Sequence, residues 1–197
     1  MKHFIVTIGR EYGSLGLEIG QTLAEMLGVK CYNRELIEEA ARRTGKDEGL
    51  FDYLDEIYSQ KPTRHFSQIG PKQEKAFWIQ AEIIREIAER ESCVIVGRCA
   101  DYVLKEREDC LNVFVFAPYS YKFNNLAQEC QLTSEATAKM IEDVDRSRHN
   151  YYKHFAHCDR GGRSMKHILI DSSYLGVKGT AQMLKCMVET KFSDLED

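Results

Sequence analysis

Residues 9–16 read Gly-Arg-Glu-Tyr-Gly-Ser-Leu-Gly, and this glycine-rich stretch decides the fold. It follows a short β-rich run over residues 3–8 and precedes Ile19, Leu23 and Leu27, which recur at helical spacing. A turn that leads from a strand into a helix points successive backbone N–H groups inward, and the helix adds the positive end of its dipole. Such a turn can hold a phosphate group.

The spacing within this turn departs from the strict GxxxxGK[ST] pattern of phosphate-binding loops. Leu17 and Glu18 follow Gly16, at the places where that pattern has Lys and then Ser or Thr. The motif alone therefore leaves open a tight turn that binds no ligand.

The rest of the chain alternates strand patterns with helix patterns. Strand patterns cover residues 29–32, 93–97, 111–116 and 167–171, and helix patterns cover about 36–41, 77–88, 133–155 and 179–190. This order implies right-handed crossovers and a parallel sheet covered by helices on both faces, with ligands at the carboxyl ends of the strands. The sequence thus predicts an α/β fold of three αβα layers around a mostly parallel sheet of about five strands.

A single domain over residues 1–197 is expected, because 43% apolar and 29% charged residues with three prolines are typical of a globular chain. Residues 46–71 are polar and aromatic, and Pro62, Gly70 and Pro71 interrupt them. We expect a mobile insertion there, with a short helix near residues 50–58.

Composition also narrows the possible locations and partners. The sequence has no apolar run of about 18 residues and no basic-then-apolar leader, so we expect a protein that neither spans a membrane nor is exported. Seven scattered cysteines, none in a CxxC arrangement, favour reduced thiols and a cytoplasmic location. The net charge of −4 argues against nucleic acid as the main partner.

Residues 146–166 form a basic segment within this acidic chain. It contains six basic residues and one acidic residue: Arg146, Arg148, Lys153, Arg160, Arg163, Lys166 and Asp159. Such a segment indicates a local anion site, and we predict a lid-like role; a solvated helix face is the alternative. Arg146 and Arg148 lie two residues apart, so they can converge on one ligand only if the helix end folds over the site.

Two further features bear on ligand binding. Arg98 directly follows a buried strand pattern and can form a two-pronged contact with a phosphate, although an ordinary surface arginine is the alternative. The histidines at 149, 154 and 157 and Cys158 have loose spacing and no carboxylate to complete a ligand set. We therefore predict no metal site there.

The stretch Ile8 to Gly20, Ile-Gly-Arg-Glu-Tyr-Gly-Ser-Leu-Gly-Leu-Glu-Ile-Gly, resembles the opening of the cytidylate kinase-like family. These proteins are bacterial relatives of nucleoside monophosphate kinases in the P-loop superfamily. The resemblance continues, in the expected order, through residues 27–37, 94–104, 115–118, 145–148, 151–152 and 170–176. It therefore spans nearly the whole chain.

The resemblance implies transfer of the terminal phosphoryl group of ATP, which carries Mg²⁺, to a nucleoside monophosphate such as CMP. It assigns the donor phosphates to Gly9, Gly13, Ser14, Leu15 and Gly16, and the donor base to the region of Ser172 and Ser173. It assigns the acceptor to Arg34 and Arg98 with Asp101 nearby, and the transferring group to the lid arginines Arg146 and Arg148. The implied partners are thus nucleotides.

The sequence departs from the family pattern at two leucines. Leu15 replaces a glycine where a positive φ is expected, and Leu17 replaces the basic residue expected at the β- and γ-phosphates. Asn33 also stands where the family often has Asp. Either the chain is an active kinase in which Arg10 or a lid arginine supplies the cation, or it is a nucleotide-binding module with weak or no catalysis and a regulatory role.

Overall fold

The computed structural model describes residues 2–46, 50, 69–130 and 133–193. In chain order the elements are β1 (Ile5–Arg10), α1 (Gly16–Leu27), β2 (Lys30–Tyr32), α2 (Arg34–Arg43), α3 (Pro71–Arg90), β3 (Cys93–Val96), α4 (Ala100–Val103), β4 (Cys110–Phe116), α5 (Tyr119–Cys130), α6 (Ser134–Ala156), a 3₁₀ turn (Arg163–Met165), β5 (Ile168–Asp171) and α7 (Ser172–Lys191).

The five strands form one sheet in the order β2-β3-β1-β4-β5, and every neighbouring pair is parallel. β1 lies in the centre, between β3 and β4. All strands therefore end at the same edge of the sheet, and the glycine-rich turn that follows β1 lies in the middle of that edge. The predicted five-stranded parallel sheet is confirmed.

Alternate residues of the central strands enter two separate hydrophobic layers. Ile5 and Ile95 pack on one face with residues of α2, α3 and α6, whereas Ile8 and Val94 pack on the other face with residues of α1 and α7. The period of two in a strand sends successive side chains to opposite faces, and both faces are covered. The predicted αβα layering is therefore also confirmed.

Helix α5 is the main element that the sequence patterns did not predict. Its best-buried residues include an apolar one, Leu126, and a charged one, Lys122, whose side chain is 11% exposed. A buried lysine breaks the apolar periodicity by which an amphipathic helix is recognised. The segment after Pro118 therefore gave no helical pattern, although Lys122 N–H already bonds to the Pro118 carbonyl.

Two predicted helices begin earlier than expected. α3 begins at Pro71 because Gly70 is its N-cap and Pro occupies its first position, so Pro71 starts a helix instead of breaking the chain. α7 begins at Ser172, where the Asp171 side chain accepts a hydrogen bond from the Ser173 N–H. A non-helical Gly176 (φ 64°) interrupts its early turns and hides the periodicity.

Most of the predicted insertion, including the short helix near 50–58, lies outside the described residues. At its described ends, Lys46 forms an ion pair with Glu82 (Nζ to Oε1, 2.8 Å), and Leu50 packs in the core layer that contains α3.

Candidate active site

A cavity of about 380 Å³ opens at the carboxyl ends of β1 and β3. The start of α2, the middle of α6 and the loop before β5 complete its walls. Six basic side chains line it: Arg10, Arg34, Arg98, Arg148, Arg160 and Lys166. Among the described residues only two carboxylates, Glu35 and Asp101, line it with them. In a chain of net charge −4, this concentration of cations indicates an anion-binding site.

Arg10 ends β1, and two glycines make room for its side chain. A Cβ on Gly97 would overlap Nη1 of Arg10, and a Cβ on Gly16 would lie 2.5 Å from the Arg10 Cβ. Burial lowers the pKa of Arg10 well below its ordinary value, and the charges of Arg148, Arg98 and Arg160 lower it further. Within the described ranges Arg10 forms no ion pair with a carboxylate. Four guanidinium groups therefore converge, although like charges repel.

Arg98 lies in a strained turn at the end of β3. Gly97, Arg98 and Cys99 all have positive φ angles, of 86°, 55° and 53°. For a residue with a side chain this region costs about 1–2 kcal/mol, and such strain concentrates at functional sites. The turn brings Arg98 to the cavity wall without a carboxylate partner among the described residues. The sequence prediction that Arg98 lies at this strand end is thus matched by its position.

Asp101 follows this turn in α4, and its Oδ2 atom is bound by two other buried side chains. Its Oδ2 accepts hydrogen bonds from the Tyr152 hydroxyl (2.8 Å) and from Lys166 Nζ, and Lys166 Nζ also contacts the Tyr152 hydroxyl (3.1 Å). Burial and the neighbouring Asp101 raise the pKa of Tyr152, so its hydroxyl keeps its proton. This buried trio fixes α4, and with it the Arg98 turn, against α6.

The two arginines predicted for the lid occupy different faces of α6. Arg148 lines the cavity: its guanidinium lies 5.3 Å from the centre of the Tyr12 ring, and its Nη1 is 3.5 Å from the Arg10 carbonyl oxygen. Burial lowers its pKa to about 10. Arg146 is 64% exposed and faces Glu142 and Asp143 at 3.8 Å and 3.6 Å. Because α6 continues through both positions, the structure brings Arg148 into the cavity but not Arg146.

The glycine-rich turn is held mainly by the protein itself. Ser14 is fully buried, and its Oγ donates to the carbonyl oxygens of Glu11 (2.9 Å) and Val115 (3.3 Å). Leu15 has φ 58° and caps α1, so it adopts the left-handed conformation expected from the glycine of the family pattern. Gly9, Arg10 and Leu17 of this region line the cavity, whereas residues 13–16 lie outside its wall.

The two serines predicted near the donor base lie beside this turn. The Ser172 side chain is fully buried and donates to the Ser14 carbonyl (2.7 Å), and Ser173 Oγ donates to Asp171 Oδ1 (2.7 Å). Ser172 therefore joins the start of α7 to the glycine-rich turn.

Comparison with known proteins gives the family. The family model for the cytidylate kinase-like family matches residues 5–174. The chain belongs to this family. No curated protein matches the sequence significantly. A solved structure of an uncharacterized protein from Eubacterium ventriosum ATCC 27560 is 24% identical, with a TM-score of 0.76, over 95% of this chain and 99% of that one.

Two shikimate kinases share the fold of this cytidylate kinase-like protein. The enzyme from Acinetobacter baumannii, solved in complex with shikimate, is 14% identical with a TM-score of 0.54, over 100% of this chain and 97% of that one. The enzyme from Bacteroides thetaiotaomicron is 13% identical with a TM-score of 0.56, over 94% and 98%. The fold is therefore the three-layer P-loop kinase fold, and the family and fold indicate a kinase-like protein.

Several cavity residues of this kinase-like protein were missed by sequence reasoning. The basic segment marked 146–166 as a region of positive charge, but its spacing could not show that Arg160 and Lys166 line the cavity. The hydrogen bond between Tyr152 and Asp101 was not predicted either. A sequence pattern gives no sign of these contacts, because each partner comes from a distant part of the chain.

Neither a metal cluster nor a membrane span is found in the described part of the chain. No group of three or more His, Cys, Asp or Glu side chains there could hold a metal ion. No helix in those residues is long and apolar enough to cross a bilayer.

Proposed function

We propose that this protein transfers the terminal phosphoryl group of ATP, bound with Mg²⁺, to a nucleoside monophosphate, and that CMP or a similar monophosphate is the favoured acceptor. The convergence of Arg10, Arg98, Arg148 and Arg160 carries the proposal. The CMP preference rests on the name of the family. Mg²⁺ would arrive with ATP as part of the substrate.

The reaction brings two anionic groups together. A phosphate oxygen of the acceptor attacks the γ-phosphorus of ATP, and a new P–O bond forms as the bond to the β,γ-bridging oxygen breaks. That oxygen keeps the bonding electrons, so the products are ADP and a nucleoside diphosphate. Catalysis of such a step consists mainly of positioning and of stabilising charge. Converging guanidinium groups offset the repulsion between the acceptor phosphate and the transferring group.

The positions of the arginines suggest a role for each. Arg34 and Arg98 would bind the acceptor phosphate, and Arg148 would contact the transferring group from α6. Arg10 would supply the cation that Leu17 lacks, because Arg10 and Leu17 line the same cavity. Arg34 is also paired with Glu38 (Nε to Oε1, 2.8 Å), which orients it towards the cavity wall.

The state of the carboxylates favours a phosphate as the attacking group. A hydroxyl acceptor must lose a proton, which calls for a nearby base. Asp101 is held by Lys166 and Tyr152, and Glu35 is exposed at the rim of the cavity. A monophosphate needs no such base, because its oxygens are already ionised at neutral pH.

The proposal is tested by product analysis. The protein is incubated with ATP, Mg²⁺ and CMP, and the nucleotides are separated by ion-exchange chromatography. We expect ADP and CDP to appear in equal amounts. Formation of ADP without the diphosphate of the acceptor, for CMP and for every other monophosphate, would contradict the proposal.

A second candidate is a nucleotide-binding module with weak or no catalysis. Leu17 favours it, because this side chain brings no charge to the cavity where the family pattern has a basic residue. Calorimetry separates the two candidates: the module binds both ATP and a monophosphate, but the product analysis detects no turnover.

A further inference from the structure

Arg160 lies in the loop between α6 and β5, and its guanidinium is only partly satisfied by the protein. Nη2 donates to Asp145 Oδ1 (2.9 Å), and the group lies 5.7 Å from the centre of the Phe114 ring. Nη1 is buried and has no hydrogen-bond partner among the described residues. The Arg160 side chain as a whole is 12% exposed and lines the cavity.

A buried N–H without a partner is unfavourable, by about 1–3 kcal/mol and more for a charged group. Most buried polar groups in proteins have partners, so an exception at a cavity wall points to a missing acceptor. Arg160 lies close enough to Arg10 and Arg148 for its charge to lower the pKa of both of them. The missing acceptor is therefore anionic, since it must satisfy a guanidinium surrounded by other guanidiniums.

We propose that Arg160 is a catalytic residue that contacts the phosphoryl group as it passes from donor to acceptor, and that Asp145 is the positioning residue that holds it there. This inference rests on the proposed function. It gives Arg160, with Arg148, the part that the sequence pattern assigned to Arg146 and Arg148.

Asp145 joins Arg160 to the glycine-rich turn. Its Oδ1 accepts hydrogen bonds from Arg160 Nη2 and from the Tyr12 backbone N–H, both at 2.9 Å. Its Oδ2 lies 3.3 Å from Lys122 Nζ, which in turn bonds to Glu11 Oε2 at 2.9 Å. Asp145 and Arg148 lie three residues apart on α6, on one face of the helix. One carboxylate thus fixes the position of Arg160 relative to the donor turn and to Arg148.

A purely structural role for Arg160 does not account for this arrangement. Lys122 is shared between Asp145 and Glu11, so Arg160 also helps to neutralise Asp145, but that contact uses only Nη2. An arginine that only neutralises Asp145 has no need to keep Nη1 buried at the cavity without a partner in the described part of the chain. An arginine that contacts a transferring phosphoryl group uses both ends of its fork, one to be held and one to bind.

The test compares Arg160→Ala with Arg163→Ala, a matched control in the same segment whose side chain is exposed and does not line the cavity. Steady-state ADP release gives kcat and KM, and calorimetry gives the affinity for ATP–Mg²⁺. We expect Arg160→Ala to lower kcat by about 100-fold or more, with KM for the acceptor changed less than about threefold. Arg160→Lys, which keeps the charge but loses the fork, should recover only a small part of kcat.

The positioning role of Asp145 is tested by Asp145→Asn. The amide can still accept the Tyr12 N–H but no longer forms a charged pair with Arg160. We expect kcat of Asp145→Asn to fall about tenfold. The double variant Asp145→Asn with Arg160→Ala should be no slower than Arg160→Ala alone, because both changes act through one group. Additive losses in the double variant would overturn the positioning role. Thermal unfolding of each variant identifies any that fail to fold. If Arg160→Ala does not fold, the kcat of Arg160→Lys is used to test the role of Arg160.

Failure of the proposed function is told apart from failure of this inference by a binding experiment. If the wild-type protein transfers no phosphoryl group to any acceptor, inorganic tripolyphosphate serves as the probe. Arg160→Ala should then weaken tripolyphosphate binding about tenfold or more relative to Arg163→Ala. Equal affinities of these two variants, or equal kcat values where turnover is seen, overturn the role of Arg160.

Discussion

The glycine-rich turn and the arginine-lined cavity meet at Arg10 but are stabilised in opposite ways. In the turn, polar groups find partners inside the protein: Ser172 Oγ donates to the Ser14 carbonyl, and Asn125 Nδ2 donates to the Gly13 carbonyl at 2.9 Å. In the cavity, the guanidinium groups repel one another and Nη1 of Arg160 has no described partner. The turn therefore organises the fold, whereas the cavity retains the capacity to bind an anion.

This contrast changes where the chemistry is expected. The motif that identifies the family supplies backbone geometry. The positive charge comes from five separate segments: the ends of β1 and β3, the start of α2, helix α6 and the loop before β5. Substitutions in the cavity should consequently affect ligands more than stability, and substitutions in the turn should affect stability more than ligands.

The largest expected effect is at Arg148. Arg148→Ala should lower kcat by about 10³-fold, because an arginine at the transferring group contributes on that order or more. Arg146→Ala, two residues away on the exposed face of α6, should lower kcat less than about threefold. Steady-state ADP-release kinetics measure both. Similar losses for the two variants would show that α6 moves to bring Arg146 to the ligand.

Arg98→Ala should abolish measurable binding of the monophosphate, with a loss of about 100-fold or more in affinity. The reason is that a two-pronged contact to phosphate comprises two charge-assisted hydrogen bonds of about 1.5–3 kcal/mol each. Arg85→Ala is the control, because Arg85 is exposed on α3 away from the cavity. Isothermal titration calorimetry with CMP gives both affinities. Unchanged affinity of Arg98→Ala would remove the acceptor assignment.

Gly97→Ala tests the junction between the two regions. The new Cβ overlaps Nη1 of Arg10 and must displace that side chain. We therefore expect ATP affinity to fall about tenfold, which corresponds to the loss of roughly one contact worth about 1.4 kcal/mol. Gly28→Ala is a matched control: Gly28 also has a positive φ, of 68°, but its added Cβ meets no atom within 4 Å among the described residues, its chain neighbours aside. Calorimetry with ATP–Mg²⁺ should separate them, and an equal loss in both would assign the effect to backbone strain alone.

The smallest expected effect is a gain in stability in the turn. Leu15→Gly removes left-handed strain of about 1–2 kcal/mol, which stabilises the folded state. Glycine also raises the entropy of the unfolded chain, which destabilises the folded state by about 0.5–1 kcal/mol. The free energy of unfolding should therefore rise by roughly 0.5–1 kcal/mol. Urea unfolding measures it. A clear loss of stability would mean that contacts of the Leu15 side chain outweigh the strain.

The sequence predicted what depends on local pattern. The parallel sheet followed from strand and helix periodicities, and the left-handed conformation at position 15 followed from the family glycine that Leu15 replaces. Arg98 could be placed because it directly follows a strand, and strand ends meet at one edge of the sheet.

The remaining features depend on contacts between distant parts of the chain. Helix α5 was missed because its buried face includes Lys122, which is there to pair with Glu11 and Asp145. Arg160 could not be told from its neighbour Arg163, because only the folded chain shows which of the two reaches Asp145. Arg146 and Arg148 were both predicted to contact the ligand for the same reason. Only the folded chain shows that α6 continues unbroken through both positions and places them on different faces.

The central claim is that the cavity arginines hold two phosphate groups, one of them on the acceptor. The most direct measurement compares kcat/KM for CMP with kcat/KM for cytidine, and shikimate is tested as a third acceptor. A coupled assay of ADP release at saturating ATP–Mg²⁺ gives all three values. We predict that CMP exceeds cytidine by about 10³-fold or more, because only CMP carries the group that the arginines bind, and that shikimate gives no turnover. Comparable values for CMP and cytidine, or turnover with shikimate alone, would contradict the account.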